Sequence, residues 1–199
     1  NLMPVTINGS GSIAGLSVGG LGSGVVNTAT LASGAITSSI LPSGSVLQVK
    51  QSIRNEVATR TGSGFAAIPD LSVSITPHSA SNKILVNVNL GTVSTTGNQY
   101  GHFIRIYKNG SHLSGASATN VSNRYGVLAG GRTTNTNHSQ GYSGQYLDTA
   151  GGTSAITYAV YWLAEGGYGT LYLNSEQNNP NGSAYLHNIS SITVTEIAA

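Results

Sequence analysis

The sequence predicts an all-β protein, an antiparallel β-sandwich that is jelly-roll-like and follows an extended N-terminal arm. Three observations support this prediction. Several short segments alternate apolar and polar residues with a period of two, which is the pattern of strands with one wet face. Polar stretches rich in Gly and Asn separate them, and no helical periodicity persists. Charged residues make up only 7% of the chain, and the abundant Ser, Thr and Asn favour strands and turns over helices.

The predicted strands place aliphatic or aromatic residues on one face and Ser, Thr or Asn on the other. The apolar residues that mark them are Leu71, Val73 and Ile75; Ile84, Val86, Val88 and Leu90; Ile156, Tyr158, Val160 and Trp162; Leu171 and Leu173; and Ile192 and Val194. Several short antiparallel strands of this kind are typical of a sandwich. Because Tyr158 and Trp162 share a face with Val160, both are expected in the core.

One hairpin can be placed from its turn. Residues 102–108 form a β run that ends in Asn109-Gly110, and this pair favours a two-residue type I′ turn. The return strand is expected to begin at Leu113. The longest loops are expected at 130–145 and 174–185, which are rich in Gly and Asn, and one short helical turn is compatible with residues 53–61.

The N-terminal segment differs in composition from the rest of the chain. The first charged residue of the chain is Lys50, so residues 1–49 carry no charged side chain. Within them, a ten-residue repeat, Leu-x-Ser-Gly-x-Val/Ile, begins at Leu21, Leu31 and Leu41. Short regular repeats usually bury their apolar residues only against neighbours. A flexible Gly/Ser linker is the alternative interpretation.

The predicted domains are therefore an N-terminal anchoring arm, residues 1–45, and a β-sandwich head, residues 46–199. The arm has too little apolar surface to offset its backbone entropy, so it is expected to order on a partner surface or around a symmetry axis. The apolar residues that we expect to anchor it there are Leu21, Val25, Leu31, Ile36 and Leu41.

Composition excludes several classes of function. A net charge of +2 with scattered Lys and Arg gives no basic stripe for nucleic acid. The absence of Cys removes disulfide scaffolds, thiolate zinc sites and Cys nucleophiles. No apolar run is long enough for a transmembrane helix, and the first residues do not resemble a signal peptide. If Met3 is the natural initiator, the chain is expected to be a complete short gene product.

Catalytic residues are scarce. A glycosidase needs two facing carboxylates, and among two Asp and four Glu only Asp148 and Glu165 are expected to be able to meet. The alternative is that Asp148 caps a turn and Glu165 ends a strand. The five His show no metal-ligand spacing, although a three-His site built by the fold or by a threefold axis stays open. We therefore predict a non-enzymatic protein without cofactor or metal.

Tyrosine is the notable aromatic, with ten residues against two Phe and one Trp. Several Tyr lie beside Gly in predicted loops, where rigid rings among Asn, Ser and Gly resemble adaptable binding surfaces. Trimer contact or plain loop packing is the alternative. The predicted contacts to glycans are Tyr100, Tyr125, His138, Tyr142 and Tyr168.

The order of several sequence phrases resembles small tail-fibre-like proteins of tailed phages, including cyanophages. The phrases are VTINGSGSIAGL from Val5 and VGGL from Val18; LPSGSVLQV from Leu41; the segment 71–77; SNKILV from Ser81; YLD from Tyr146 and TSAITY from Thr153; and ITVTEIAA from Ile192. The resemblance covers most of the chain, and it is the order of the phrases that is specific.

This resemblance implies a trimeric β-sandwich head on an extended N-terminal segment, at the virion surface. In such a role the chain would be a capsid cement, or decoration, protein bound to the major capsid protein. The alternative is a distal receptor-binding domain of a tail fibre or tailspike, attached to a tail adaptor. The expected partners are two further copies of the chain and host-surface carbohydrate, with neither nucleic acid nor membrane insertion. The short arm favours the capsid role.

Overall fold

The computed structural model describes residues 36–37, 40–96, 100–132, 139–177, 181–183 and 185–199, and the backbone of 6–7 and 13–14. The chain divides into two compact units, residues 1–41 and 42–199. The sequence pattern places the boundary at residue 45, whereas the structure divides the chain after Leu41. Residues 42–45 belong to the second unit because hydrogen bonds tie them to its C-terminal end. Gly44 N donates to Ala198 O at 2.8 Å, and Ala198 N donates to Ser45 O at 2.9 Å.

Within the first unit, two short strands pair antiparallel, β1 (Thr6–Ile7) and β2 (Ile13–Ala14). The segment is therefore not extended throughout. A stretch of Asn, Gly and Ser separates the two strands, and such residues tolerate the backbone angles that a reversal requires.

The second unit contains eleven strands among the described residues. They are β3 (Val46–Arg54), β4 (Ala58–Arg60), β5 (Ala66–Ile75), β6 (Lys83–Thr95), β7 (Gly101–Lys108), β8 (Ser111–His112), β9 (Ala129–Arg132), β10 (Gln140–Thr149), β11 (Ile156–Ala164), β12 (Leu171–Leu173) and β13 (Ser190–Ile197). Two 3-10 turns, Ser114–Ala116 and Glu165–Gly167, complete the regular structure.

The long strand β6 organises the first sheet. Along one edge it pairs first with β13 and then with β12, and these pair in turn with β3 and β4. Along its other edge it pairs with β10. In the second sheet β11 lies between β5 and β7, and the far edge of β7 pairs with β9 at one end and with β8 at the other. All of these pairings are antiparallel.

The two sheets pack face to face, and their inward side chains form one core. Its members include Leu71, Ile75, Ile84, Val86, Val88, Leu90, Ile104, Ile106, Tyr158, Val160, Trp162, Leu171, Leu173, Ile192 and Val194. The prediction of an all-β antiparallel sandwich is confirmed, as is the core position of Tyr158 and Trp162. No helix in the described part of the chain is long and apolar enough to cross a bilayer.

The hairpin turn is confirmed, but its return strand was placed wrongly. Asn109 and Gly110 both have positive φ, 49° and 78°, as a type I′ turn requires. The return strand β8 is Ser111–His112, so it begins two residues before Leu113. Leu113 N still donates to Ile106 O, and a 3-10 turn begins at Ser114.

Two further predictions of irregular structure were wrong. The described part of residues 130–145 is mostly strand, since β9 ends at Arg132 and β10 begins at Gln140, and residues 133–138 lie outside the described residues. Residues 53–61 hold the end of β3 and the whole of β4 instead of a helical turn. The described part of 174–185 lies outside the strands, as predicted, with a single bridge from Ser175 to His187.

Candidate functional site

A shallow cleft of about 400 Å³ opens where β7 begins and β9 pairs with it. Its lining consists of Gly101, Phe103, Val127, Gly130, Gly131, Arg132 and Glu165. The cleft lies at the end of the second sheet, where β7, β9 and the 3-10 turn after β11 come together. We refer to it as the β7–β9 cleft.

An ion pair forms the polar wall of the β7–β9 cleft. Arg132 Nη2 lies 2.8 Å from both carboxylate oxygens of Glu165, and the backbone N–H of Gly101 donates to Glu165 Oε2 at 2.8 Å. The side chains of Arg132 and Glu165 are 55% and 38% exposed. Both therefore keep hydrogen-bonding capacity towards solvent or a ligand, while the backbone contact fixes the position of the carboxylate.

Aromatic rings lie around the cleft. Tyr125 packs against Phe103, with ring centroids 5.2 Å apart, and against Phe65 at 5.8 Å. Tyr100 stacks on Tyr168 at 5.8 Å, with 24° between the rings. Both of these tyrosines adjoin the ion pair in sequence, since Tyr100 precedes Gly101 and Tyr168 follows the turn that begins at Glu165.

A polar cluster around the buried His102 lies against Gly131, which lines the cleft. The Tyr142 hydroxyl donates to Gln140 Oε1 at 2.5 Å, and its oxygen contacts Nε2 of the fully buried His102. Burial lowers the pKa of His102 to about 4 and raises the pKa of Tyr142 to about 12. A Cβ at Gly131 would collide with the Tyr142 hydroxyl and the Gln140 amide, so a larger residue here would have to displace both groups. The cluster is therefore neutral at pH 7 and supports the floor of the cleft.

The predicted glycan-contact residues are distributed unevenly. Tyr100, Tyr125 and Tyr168 lie outside the strands, and Tyr168 is 63% exposed. Tyr142 is not a loop residue, because it lies in β10 with its hydroxyl directed at His102. His138 lies outside the described residues. Sequence analysis missed the Arg132–Glu165 pair and Phe103.

The predicted anchoring residues fall mostly beyond the described part of the chain. Leu21, Val25 and Leu31 lie outside the described residues. Ile36 and Leu41 are both exposed.

A second candidate surface covers the outer face of the first sheet. Among the outward side chains of β3, β13, β6 and β10, three rows across the strands bear no charge, and we call these three rows the uncharged face. Lys83 of β6 lies in the next row and donates to Thr149 Oγ1 at 2.8 Å. In strand order the rows are Val49, Thr195, Leu85 and Leu147; Gln51, Thr193, Asn87 and Gln145; and Ile53, Ser191, Asn89 and Ser143. Val49, Ile53 and Leu147 are each more than half exposed. A face of this width that exposes aliphatic and amide groups without charge is typical of a protein contact.

The carboxylate pair considered for glycosidase chemistry does not meet. Asp148 accepts hydrogen bonds from Tyr158 Oη at 2.6 Å and Lys108 Nζ at 2.7 Å, while Glu165 binds Arg132. Tyr158 and Glu165 lie near opposite ends of β11, roughly 20 Å apart along the strand. Asp148 is thus a strand residue that satisfies buried donors and not a turn cap, and Glu165 follows the end of a strand, as the alternative predicted.

Metal-ligand geometry is lacking in the part of the chain that the structure describes, where no three His, Asp or Glu side chains converge. Neither protein-family models nor curated proteins match the sequence. The β7–β9 cleft and the uncharged face are therefore the basis for a functional proposal.

Proposed function

We propose that the chain is a non-enzymatic structural protein of a tailed-phage particle, a homotrimer that decorates the capsid surface. The observation that carries this proposal is the uncharged face. It spans four strands and exposes aliphatic side chains beside amide and hydroxyl groups, so contact with protein would remove apolar area from water. The resemblance to tail-fibre-like phage proteins points in the same direction.

The occupant that we propose for this face is a second copy of the chain, repeated around a threefold axis. Amide side chains both donate and accept hydrogen bonds, so the row that contains Asn87 and Gln145 can bond to polar groups of a neighbouring copy without any charged partner. The aliphatic row that contains Val49 and Leu147 would lose its exposure to water in the same step. Because the face bears no charge, it offers no electrostatic selection for a differently charged partner.

A lysine at the β10 end of the aliphatic row is expected to break the trimer. We predict that wild-type protein elutes with the mass of a trimer in light-scattering chromatography, and that Leu147→Lys shifts it to the monomer, since a buried unpaired ammonium is costly. Ser72→Lys, at an exposed strand position of the other sheet, adds the same charge and should remain trimeric. A monomeric wild type, or a trimeric Leu147→Lys protein with native circular dichroism, would contradict the proposed interface.

In the capsid role, the arm binds the major capsid protein and the head projects from the shell. Ligation of neighbouring subunits would stabilise the assembled shell by mass action, and three arms per trimer would raise the avidity. The alternative is the distal receptor-binding domain of a tail fibre or tailspike, and the β7–β9 cleft favours that alternative because it presents aromatic and polar groups at the surface.

Copy number distinguishes the two locations. We expect quantitative mass spectrometry of purified virions to find this chain at close to parity with the major capsid protein. The physical reason is that a decoration protein repeats with the lattice of the shell. A few trimers per particle would instead place the protein at the tail and overturn the capsid assignment. The major tail-tube protein, counted in the same digest, is the internal reference for that lower abundance.

A further inference from the structure

We propose that the β7–β9 cleft binds a neutral hexopyranose unit of a glycan. The proposal goes beyond the structural role and does not depend on it, since the described residues that line the cleft all belong to one chain. A volume of about 400 Å³ falls within the range of small-molecule pockets, about 300–1,000 Å³. The cleft thus has room for a monosaccharide-sized ligand without any rearrangement of the fold.

The polar wall matches vicinal hydroxyl groups. A sugar hydroxyl can donate to a Glu165 oxygen while its neighbour accepts from an unused N–H of Arg132. The two groups are already held together at 2.8 Å, and Gly101 N–H fixes the carboxylate from below, so little side-chain freedom is lost when a ligand binds. This wall is therefore preorganised for a diol.

Charge selects a neutral sugar. Arg132 and Glu165 neutralise each other, and they are the only ionisable side chains that line the described cleft. A phosphate or uronate would have to compete with Glu165 for the guanidinium, and an amino sugar would have to compete with Arg132 for the carboxylate. Binding of either kind of charged ligand would therefore desolvate its charge without providing a free partner, which is unfavourable.

The apolar wall matches the C–H face of a pyranose ring. Phe103 is half-buried in the cleft, and Tyr125 packs against it at 5.2 Å, which limits its motion. Apolar and aromatic walls with a few placed polar groups are the usual composition of a small-ligand site. Binding without hydrolysis follows from the geometry, because the Asp148 carboxylate is engaged by Lys108 and Tyr158 towards the other end of β11.

The test uses the full chain and methyl α-D-glucopyranoside, galactopyranoside and mannopyranoside, with saturation-transfer NMR and titration of chemical shifts. At least one of them should bind with a Kd in the millimolar range, as expected for a single shallow site. Methyl glucuronoside and glucosamine should bind more weakly than the matching neutral sugar. Failure of all three neutral glycosides to bind, or tighter binding of a charged sugar, would overturn the proposal.

Variants assign the binding to this cleft. Glu165→Gln should weaken binding by about tenfold or more, because a hydrogen bond to a charged group is replaced by a neutral one. Phe103→Leu keeps an apolar side chain and should also weaken binding. Glu56→Gln removes an exposed acid that lines a different pocket, and it should bind like the wild type. Unchanged affinity in folded Glu165→Gln protein would place the sugar elsewhere and refute the assignment.

Discussion

Replacing Glu196 by glutamine should lower the free energy of unfolding by about 3–5 kcal/mol. Glu196 is fully buried at the end of β13, and its carboxylate accepts hydrogen bonds from Gln48 Nε2 at 2.6 Å and Asn82 Nδ2 at 2.7 Å. It also accepts from the backbone N–H of His78 at 2.7 Å and contacts His78 Nδ1 at 2.8 Å. An amide of the same shape would turn an NH₂ group towards these donors and leave some of them without an acceptor.

The same carboxylate makes the protein sensitive to strong acid. Burial alone would raise the pKa of Glu196, but the hydrogen bonds from Asn82, Gln48 and His78 outweigh it and lower the pKa to about 2. A lowered carboxylate pKa contributes stability that is present above the unfolded value of 4.5 and is lost as the pH falls towards 2. The Glu196→Gln protein should lack this acid-dependent step.

Urea unfolding at pH 7 and between pH 5 and pH 2 measures both effects. Glu56→Gln is the matched control, because Glu56 is an exposed acid, and its free energy of unfolding should change by no more than about 0.5 kcal/mol. If Glu196→Gln were as stable as this control at pH 7, the hydrogen-bond network would not hold the C-terminal strand as the structure indicates.

The Glu196 network illustrates what the sequence could not predict. Each partner of Glu196 lies more than 100 positions away along the chain, on β3 or in the segment between β5 and β6. No local spacing marks such a set. Only the register that places Gln48 opposite Glu196, together with the turn near Asn82, brings these groups together.

The sandwich itself was predictable because its signal is local. In β6 the buried residues Ile84, Val86 and Val88 alternate with Asn87 and Asn89, so the period of two appears in the sequence itself. The Asn109-Gly110 turn is local in the same sense, since both residues need left-handed backbone angles.

The sequence pattern did not predict strand β10, because the inward positions of this strand hold unusual residues. Tyr142 and Tyr146 fill them instead of aliphatic side chains, and between them Gly144 makes room for Leu128, whose Cγ would lie 2.8 Å from a Cβ at that position. The composition of the β10 segment is typical of a loop. In the structure, pairing with β6 outweighs the weak strand propensity of these residues.

The candidate cleft was predictable only in part. Tyr100 and Tyr168 were selected for their residue type, and the structure stacks them on each other. Arg132 and Glu165 are 33 positions apart and meet only because β9 and the turn after β11 lie at the same end of the second sheet. A pair made by the end of one strand and a distant 3-10 turn leaves no pattern in the sequence.

Lowering the pH from 7 to 4 should destabilise the protein by about 3 kcal/mol through His102. Burial lowers the pKa of this imidazole from 6.5 to about 4 in the folded protein. The unfolded chain therefore binds a proton more readily, so the contribution of neutral His102 is fully present above pH 6.5 and is lost as the pH falls to 4. Below pH 4 both states are protonated, and the loss stops.

Geometry explains why the folded protein resists protonation. Because the Tyr142 hydroxyl gives its proton to Gln140 Oε1, the Tyr142 oxygen accepts from His102 Nε2, which leaves Nδ1 unprotonated. Nδ1 is buried without a hydrogen-bond partner, so a proton there would be a buried charge with nothing to accept its hydrogen bond. The Glu196 effect lies mostly at lower pH and can be separated from this one.

His102→Gln is the variant that tests this account, because the glutamine amide can still donate to Tyr142 but cannot titrate. Its free energy of unfolding should change much less between pH 7 and pH 4 than that of the wild type, whatever its value at pH 7. Some slope should remain, since burial and Arg105 also lower the pKa of His112. His187→Gln, which alters an exposed imidazole, should keep the wild-type slope. An equal slope in His102→Gln and His187→Gln would show that the acid sensitivity arises elsewhere and that the floor of the cleft tolerates a charge.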